Sequence, residues 1–263
     1  MNKHKAKKSL GQHFLRSSSA IRAIVASANL TDKDTVLEIG PGEGVLTEAL
    51  LKTGAKVIAV EKDRDLIPIL TEKFKTELDN GSLRLILEDV LEFVPSFHKL
   101  NQGKYKLVAN IPYYITGAIF EKFLTEESYP STVVVLIQKE VATRIVARDK
   151  KESILSLSVK AFGEPKITAK VPRTAFRPAP KVDSAVLAIN NVSHKNFDTK
   201  ESMERFFKIV HAGFAHKRKL LLRNLEVIMA REEIQKIFKD NNIQDMARSE
   251  NLTLDTWIKI SRA

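Results

Sequence analysis

The sequence predicts a doubly wound α/β domain followed by a small helical domain, and three observations predict it. From Thr35 onward, short β-branched runs alternate with longer amphipathic segments. A glycine-rich turn, Gly40, Pro41, Gly42, Glu43, Gly44, stands directly behind the first of those runs. After about residue 200 the periodicity is helical throughout, with no convincing strand.

Strands are expected at 36–39, 56–60, 83–87, 106–109 and 132–137, each a short run of aliphatic residues. The segments 45–51, 66–78, 117–124 and 140–147 carry apolar residues at helical spacing and supply the crossovers that parallel strands need. A helix at 153–161 and strands at 166–171 and 185–189 complete a mostly parallel sheet of seven strands. Between 190 and 200 the chain turns polar, with Asn190, Asn191, Ser193, His194, Lys195 and Asn196 close together, which is linker composition. The boundary is placed there, giving an α/β domain over 1–192 and a helical domain over 193–263. Within the latter, helices are expected at 203–214, 217–229, 231–238 and 254–260.

A chain of 263 residues with 43% hydrophobic content can bury one sizeable core and a smaller second one. The longest apolar stretches, such as 133–137, are too short to cross a bilayer, and the basic residues 1–8 lead into no apolar signal segment. A soluble cytoplasmic protein is expected. The absence of cysteine excludes disulfides, thiolate nucleophiles and cysteine metal sites, and no metal is expected. A net charge of +11 points to a polyanionic partner, nucleic acid first, because each neutralised phosphate releases counterions. Charge alone does not separate RNA from DNA or from an anionic membrane surface.

The glycine turn runs from strand to helix, where backbone approaches a ligand closely. About twenty residues on, Glu61 ends the next strand, where a carboxylate can accept hydrogen bonds from ribose hydroxyls. The turn departs from the dinucleotide fingerprint: its third glycine comes too early, and Pro41 and Glu43 lie where a pyrophosphate needs open amides. A nucleoside ligand without phosphate fits better. S-adenosylmethionine is such a ligand, and Glu38 or Glu43 would suit its cationic part. Asp89, past the third strand, can accept from its adenine amino group.

Asn110, Ile111, Pro112 and Tyr113 follow the fourth strand. The exocyclic amine of adenine is a poor nucleophile, because its lone pair is delocalised into the ring. Acceptors on the amine localise that pair, and the Asn110 side-chain oxygen with the Ile111 carbonyl, aimed by Pro112, are placed to do so. Tyr113 can stack on a base taken out of its helix. Phe176 fits either as the second face of that clamp or as a core residue. This chemistry requires no metal and no covalent nucleophile.

Taken in order, the run 11–15 reading GQHFL, the turn 38–44, Glu61, Asp89, 110–113, the run 176–184 reading FRPAPKVDS and the basic segment 213–225 resemble the ribosomal RNA adenine dimethyltransferases of the KsgA type. The resemblance spans nearly the whole chain. It implies a Rossmann-like, S-adenosylmethionine-dependent methyltransferase domain and a helical C-terminal domain. It also implies dimethylation of two adjacent adenosines near the 3′ end of small-subunit ribosomal RNA, coupled to subunit biogenesis. By the same resemblance His13, Leu15, Gly40, Glu61, Asp89 and Asn110 line the cofactor site.

Lys217, Arg218, Lys219 and Arg223, with His211 and His216, are the expected RNA contacts, against the alternative of a solvated face. Lys3, Lys5, Lys7, Lys8 and Arg16 form a basic arm that could follow phosphates or remain a solvated tail. The expected partner is the small ribosomal subunit precursor, and nothing in the sequence demands a dimer. The rival readings are a large-subunit methyltransferase conferring antibiotic resistance, a DNA adenine methyltransferase, and an assembly factor without catalysis. The run 176–184 and the stretch 217–223 look more like the small-subunit group than the large-subunit one, and intact Glu61, Asp89, Asn110 and Tyr113 argue against lost chemistry.

Overall fold

A computed structural model describes residues 7, 11–147 and 149–263. The chain divides into two compact units. The first comprises the described residues up to Ala142 with Glu164–Ser193, and the second Thr143–Gly163 with His194–Ala263.

In chain order the first part of the protein runs β1 (Phe14–Leu15), α1 (Ser18–Ala28), β2 (Thr35–Ile39), α2 (Val45–Leu51), β3 (Lys56–Glu61), α3 (Leu66–Lys73), α4 (Lys75–Asp79), β4 (Leu83–Leu87), β5 (Lys106–Asn110), α5 (Thr116–Thr125) and β6 (Thr132–Gln138). It continues through α6 (Lys139–Val146), α7 (Ile154–Lys160), β7 (Glu164–Val171), β8 (Phe176–Arg177) and β9 (Ser184–Asn190). Seven strands form one sheet in the order β4-β3-β2-β5-β6-β9-β7. The strands from β4 to β6 pair in parallel, and β9 runs antiparallel to both its neighbours. Winding runs one way from β2 to β4 and the other way from β5 to β6, so the crevice between β2 and β5 is the topological switch point.

The central strands are buried on both faces, as crossovers on both sides of a parallel sheet require. Val36 and Leu37 in β2, Leu107 to Ala109 in β5 and Val133 to Ile137 in β6 are almost fully excluded from solvent. All seven expected strands are present, with ends that differ by two residues at most.

Helix α1 was not expected, although Ile21, Ile24 and Ala28 recur at helical spacing and form its buried face. The Ser17 hydroxyl accepts from Ala20 N–H at its start, and Asn29 closes it in the left-handed conformation. The helix packs on β6, β7 and β9. The segment expected as one helix over 66–78 breaks at Phe74, whose ring turns into the core against Gly44. The two-stranded pair of β1 and β8 is also new, with Leu15 opposite Phe176.

The second unit adds α8 (Lys200–Gly213), α9 (Leu221–Leu225), α10 (Arg231–Asp240) and α11 (Leu254–Arg262) to α7. Placing one boundary at 192/193 missed that Thr143–Gly163 groups with these helices. The physical reason is aromatic packing: the Phe162 ring lies 5.4 Å from Phe197 and 6.2 Å from Phe207. A capping box of Thr199 and Ser202 starts α8. Its last turn approaches Trp257 so closely that a Cβ on Gly213 would collide with the indole.

The helix expected over 217–229 is a correction: residues 214–220 form a turn, and only Leu221–Leu225 is helical. Tertiary partners capture the backbone there. The buried Asn224 amide donates to the Gly213 and His216 carbonyls, the Ser249 hydroxyl also donates to Gly213, and Leu221 N–H donates to the Ala247 carbonyl. No helix among the described residues is long and apolar enough to cross a membrane.

Candidate active site

At the carboxyl ends of the central strands, one pocket is bordered by the run 11–15, the glycine turn, Glu61, Asp89 and residues 110–115. It therefore gathers His13, Leu15, Gly40, Glu61, Asp89, Asn110, Ile111, Pro112 and Tyr113, which lie far apart in sequence.

The turn is shaped by its own packing as much as by any ligand. Gly42 and Gly44 have φ of 58° and 75°. A Cβ on Gly42 would press on the Phe14 ring, and one on Gly44 would collide with Phe74. Lys73 Nζ reaches the carbonyls of Glu43 and Gly44 from behind, at 3.1 and 3.2 Å. Gly40 N–H donates to the Val60 carbonyl, tying the turn to β3.

Glu61 is aimed by backbone: Gly42 N–H donates to Oε2 at 3.2 Å and Asp63 N–H to Oε1 at 2.8 Å. Burial pushes its carboxyl above the ordinary range. Glu38 is 1% exposed, and the Thr47 hydroxyl is its nearest hydrogen-bonding neighbour, too poorly aligned to satisfy the carboxyl fully. Burial, reinforced by the charge of Glu61, pushes it up to about 8. A buried acid beside the glycine turn suits a ligand that brings hydrogen-bond donors or a positive charge. The donor set fits S-adenosylmethionine. Asp89 accepts from Lys62 Nζ at 2.5 Å and Leu91 N–H at 3.0 Å, and the lysine holds its carboxyl below the usual range.

Asn110 stands at the end of β5, where its Nδ2 donates to the His13 carbonyl at 3.2 Å. A carbonyl only accepts, so the amide oxygen faces away from it. Tyr113 follows in a 3-10 turn started by Pro112. Its hydroxyl bonds the buried Ser184 Oγ at 2.7 Å, which fixes the ring, and the His13 ring stacks 6.1 Å away. His13 Nδ1 in turn bonds the Pro178 carbonyl at 2.7 Å. Both the backbone and the ring of His13 are thus structural ties, and the run 176–184 reaches the site through Pro178 and Ser184.

Phe176 corrects the expectation of a clamp. It is 5% exposed, packs in the core cluster with Leu15 and Ala175, and does not border the pocket. Pairing of β1 with β8 draws it inward. An exposed aromatic ring at the pocket besides Tyr113 is that of Tyr114, which is 65% exposed. Sequence reading also missed Ser184 and the partners of Asp63; the serine lay inside a run already singled out.

In the second unit Lys217, Arg218 and Lys219 are exposed on the turn held by Asn224, with His216 beside them. Arg223 is exposed on α9 and pairs with Glu226 at 3.1 Å. Of the basic arm, Lys7 and Arg16 are engaged by carboxylates: Lys7 Nζ by Asp63 and Asp65, Arg16 by Glu43 at 2.5 Å. Lys3, Lys5 and Lys8 lie outside the described residues.

The family model for ribosomal RNA adenine dimethylase matches residues 3–263. The chain belongs to the ribosomal RNA adenine dimethylase family. Its relatives include the ribosomal RNA small subunit methyltransferase A of Dehalococcoides mccartyi, 42% identical over 97% of this chain and 87% of that protein. The protein of the same name from Clostridioides difficile is 39% identical over 98% and 90%. Among solved structures, a dimethyladenosine transferase from Plasmodium falciparum superposes with a TM-score of 0.81 at 25% identity, covering 94% of this chain and 96% of that one. The 23S rRNA methyltransferase ErmE gives 0.76 at 25% identity, over 95% and 98%. The dimethylase fold of this chain is that of a Rossmann-like methyltransferase dependent on S-adenosylmethionine.

Proposed function

We propose that this dimethylase converts two adjacent adenosines near the 3′ end of small-subunit ribosomal RNA to their N6,N6-dimethyl forms. It acts in the cytoplasm, as a monomer, on the small-subunit precursor. The observation that carries the reading is Asn110: its amide nitrogen is committed to His13, so its oxygen is left to accept from an incoming amine beside the donor pocket. The small subunit is favoured over the large because relatives named for the small subunit reach 42% identity, against 25% for the 23S enzyme.

When bound, S-adenosylmethionine supplies an electrophilic methyl on a sulfonium. Glu61 would accept from the ribose hydroxyls, Asp89 from the adenine amino group, and Glu38 would meet the amino-acid end. Asn110 Oδ1 and the Ile111 carbonyl accept from the target amine and localise its lone pair, each worth about 1–3 kcal/mol in the transition state. Tyr113, its hydroxyl pinned by Ser184, presents a ring to the extruded base. The proton leaves to water after transfer. Exposed Lys217, Arg218, Lys219 and Arg223 bind RNA phosphates and set no base identity.

The test uses labelled S-adenosylmethionine with separately purified, unmethylated small and large subunits, followed by mapping of modified nucleosides. Label on adenosines of the small subunit is expected. Label confined to the large subunit would transfer the chain to the antibiotic-resistance reading, and none on either would leave a binding factor.

A further inference from the structure

The run 11–15 forms part of the pocket wall, and one buried carboxylate fastens it there. Asp63 is 2% exposed and is not itself part of the wall. Its Oδ1 accepts from Lys7 Nζ at 2.5 Å and from Asp65 N–H at 3.1 Å, and its Oδ2 accepts from Gln12 Nε2 at 2.8 Å. Lys7 Nζ also meets Asp65 at 2.7 Å, and Lys7 N–H donates to Gln12 Oε1 at 2.8 Å. On its other side, the Asp63 N–H donates to Glu61 Oε1 at 2.8 Å. One residue therefore holds both the N-terminal strap and the carboxylate assigned to the ribose.

The two halves of the contact need each other. Burial pushes the Asp63 carboxyl up, yet the Lys7 and Gln12 donors hold it below the ordinary range. Withdrawing the strap would strip a buried charge of its Lys7 and Gln12 donors, which is costly. The strap in turn is pulled down over the pocket, bringing Gly11 under the Tyr114 ring and the His13 carbonyl to Asn110.

We propose that Asp63 is a positioning residue for methyl-donor binding: it latches the strap over the pocket and aims Glu61, and so sets donor affinity without touching the donor. The proposal rests on reading the pocket as the donor site.

Calorimetry on the full chain with S-adenosylmethionine separates the two. If Glu61→Ala binds as tightly as wild type, the donor-site reading falls and the latch with it. With Glu61→Ala weakened, Asp63→Asn and Lys7→Ala should each raise Kd about tenfold or more, and the double variant no further than the worse single one. Lys7→Arg should restore affinity. At saturating donor, kcat on RNA should stay within about threefold of wild type, a split that general loosening of the fold would not produce. Without donor, trypsin should cut the Arg16 peptide bond faster in Asp63→Asn than in wild type, and saturating donor should protect it in both. Wild-type affinity in Asp63→Asn, or effects of Asp63 and Lys7 that add, would overturn the latch alone. Should Asp63→Asn not fold, Gln12→Leu removes the two side-chain hydrogen bonds of Gln12, to Asp63 and from Lys7 N–H, from the strap side only, and unchanged affinity there overturns it equally.

Discussion

In the proposed chemistry Asn110 serves because His13 removes its freedom. With Nδ2 spent on a backbone carbonyl, the side chain offers an acceptor in a fixed direction at no cost in reorganisation during the reaction. Asn110→Ala should lower kcat on RNA by about 30- to 150-fold, equivalent to about 2–3 kcal/mol, while donor affinity measured by calorimetry stays within about threefold. Activity equal to wild type would remove Asn110 from the mechanism. Glu38 makes a second prediction, about pH. The unfolded chain releases this proton near the ordinary value of 4.5 and the folded protein holds it to about 8, so across that window unfolding releases a proton. Stability of the donor-free protein should therefore fall as pH rises from about 5 to 8 and level above it. Glu38→Gln should flatten that decline in thermal unfolding, leaving the smaller part due to Glu61, also raised by burial. Equal slopes in the two proteins would mean that Glu38 is ionised throughout.

At the scale of elements, the basic turn 214–220 is held in shape from beneath by Asn224 and Ser249, which present exposed Lys217, Arg218 and Lys219 as a ready surface for phosphates. Replacing these three by alanine should reduce the slope of log affinity for RNA against log salt by up to about 2, at about 0.7 for each single-strand phosphate no longer neutralised. An unaltered slope would return them to a solvated face. The strands were legible because their aliphatic runs are short, β-branched and bounded by turns, the signature of a sheet buried on both faces. The helix over 217–229 misled because Lys217 to Arg223 are good helix formers and Leu220, Leu221 and Leu225 have helical spacing, whereas hydrogen bonds from Asn224 and Ser249, and from Leu221 N–H to the Ala247 carbonyl, decide the backbone. Ser249 and Ala247 are distant in the chain and leave no local signal. Helix α1 did leave one, in Ile21, Ile24 and Ala28, but lies before the alternation that organised the reading.

For the whole molecule, the doubly wound sheet does for function what no single motif does: it brings Glu38, Glu61, Asp89 and Asn110, each at or near a strand end, to one crevice. That convergence could be read in advance because Glu61, Asp89 and Asn110 each come at or just past the end of an aliphatic run and Glu38 one residue before such an end. What could not be read was how the site is tied together, since the links from His13 to Pro178, Tyr113 to Ser184 and Asp63 to Lys7 span 165, 71 and 56 residues. Nor was it legible that Thr143–Gly163 would leave the α/β unit for the helical one, because the Phe162 cluster and the links of Lys151 and Glu152 to Glu250 join residues far apart in sequence. The most direct measurement of the central claim is a crystal structure with S-adenosylhomocysteine bound. The expected result has ribose hydroxyls on Glu61, the adenine amino group at Asp89 and the sulfur facing the Asn110 amide oxygen. A nucleoside seated elsewhere, or one whose sulfur points away from Asn110, would contradict it.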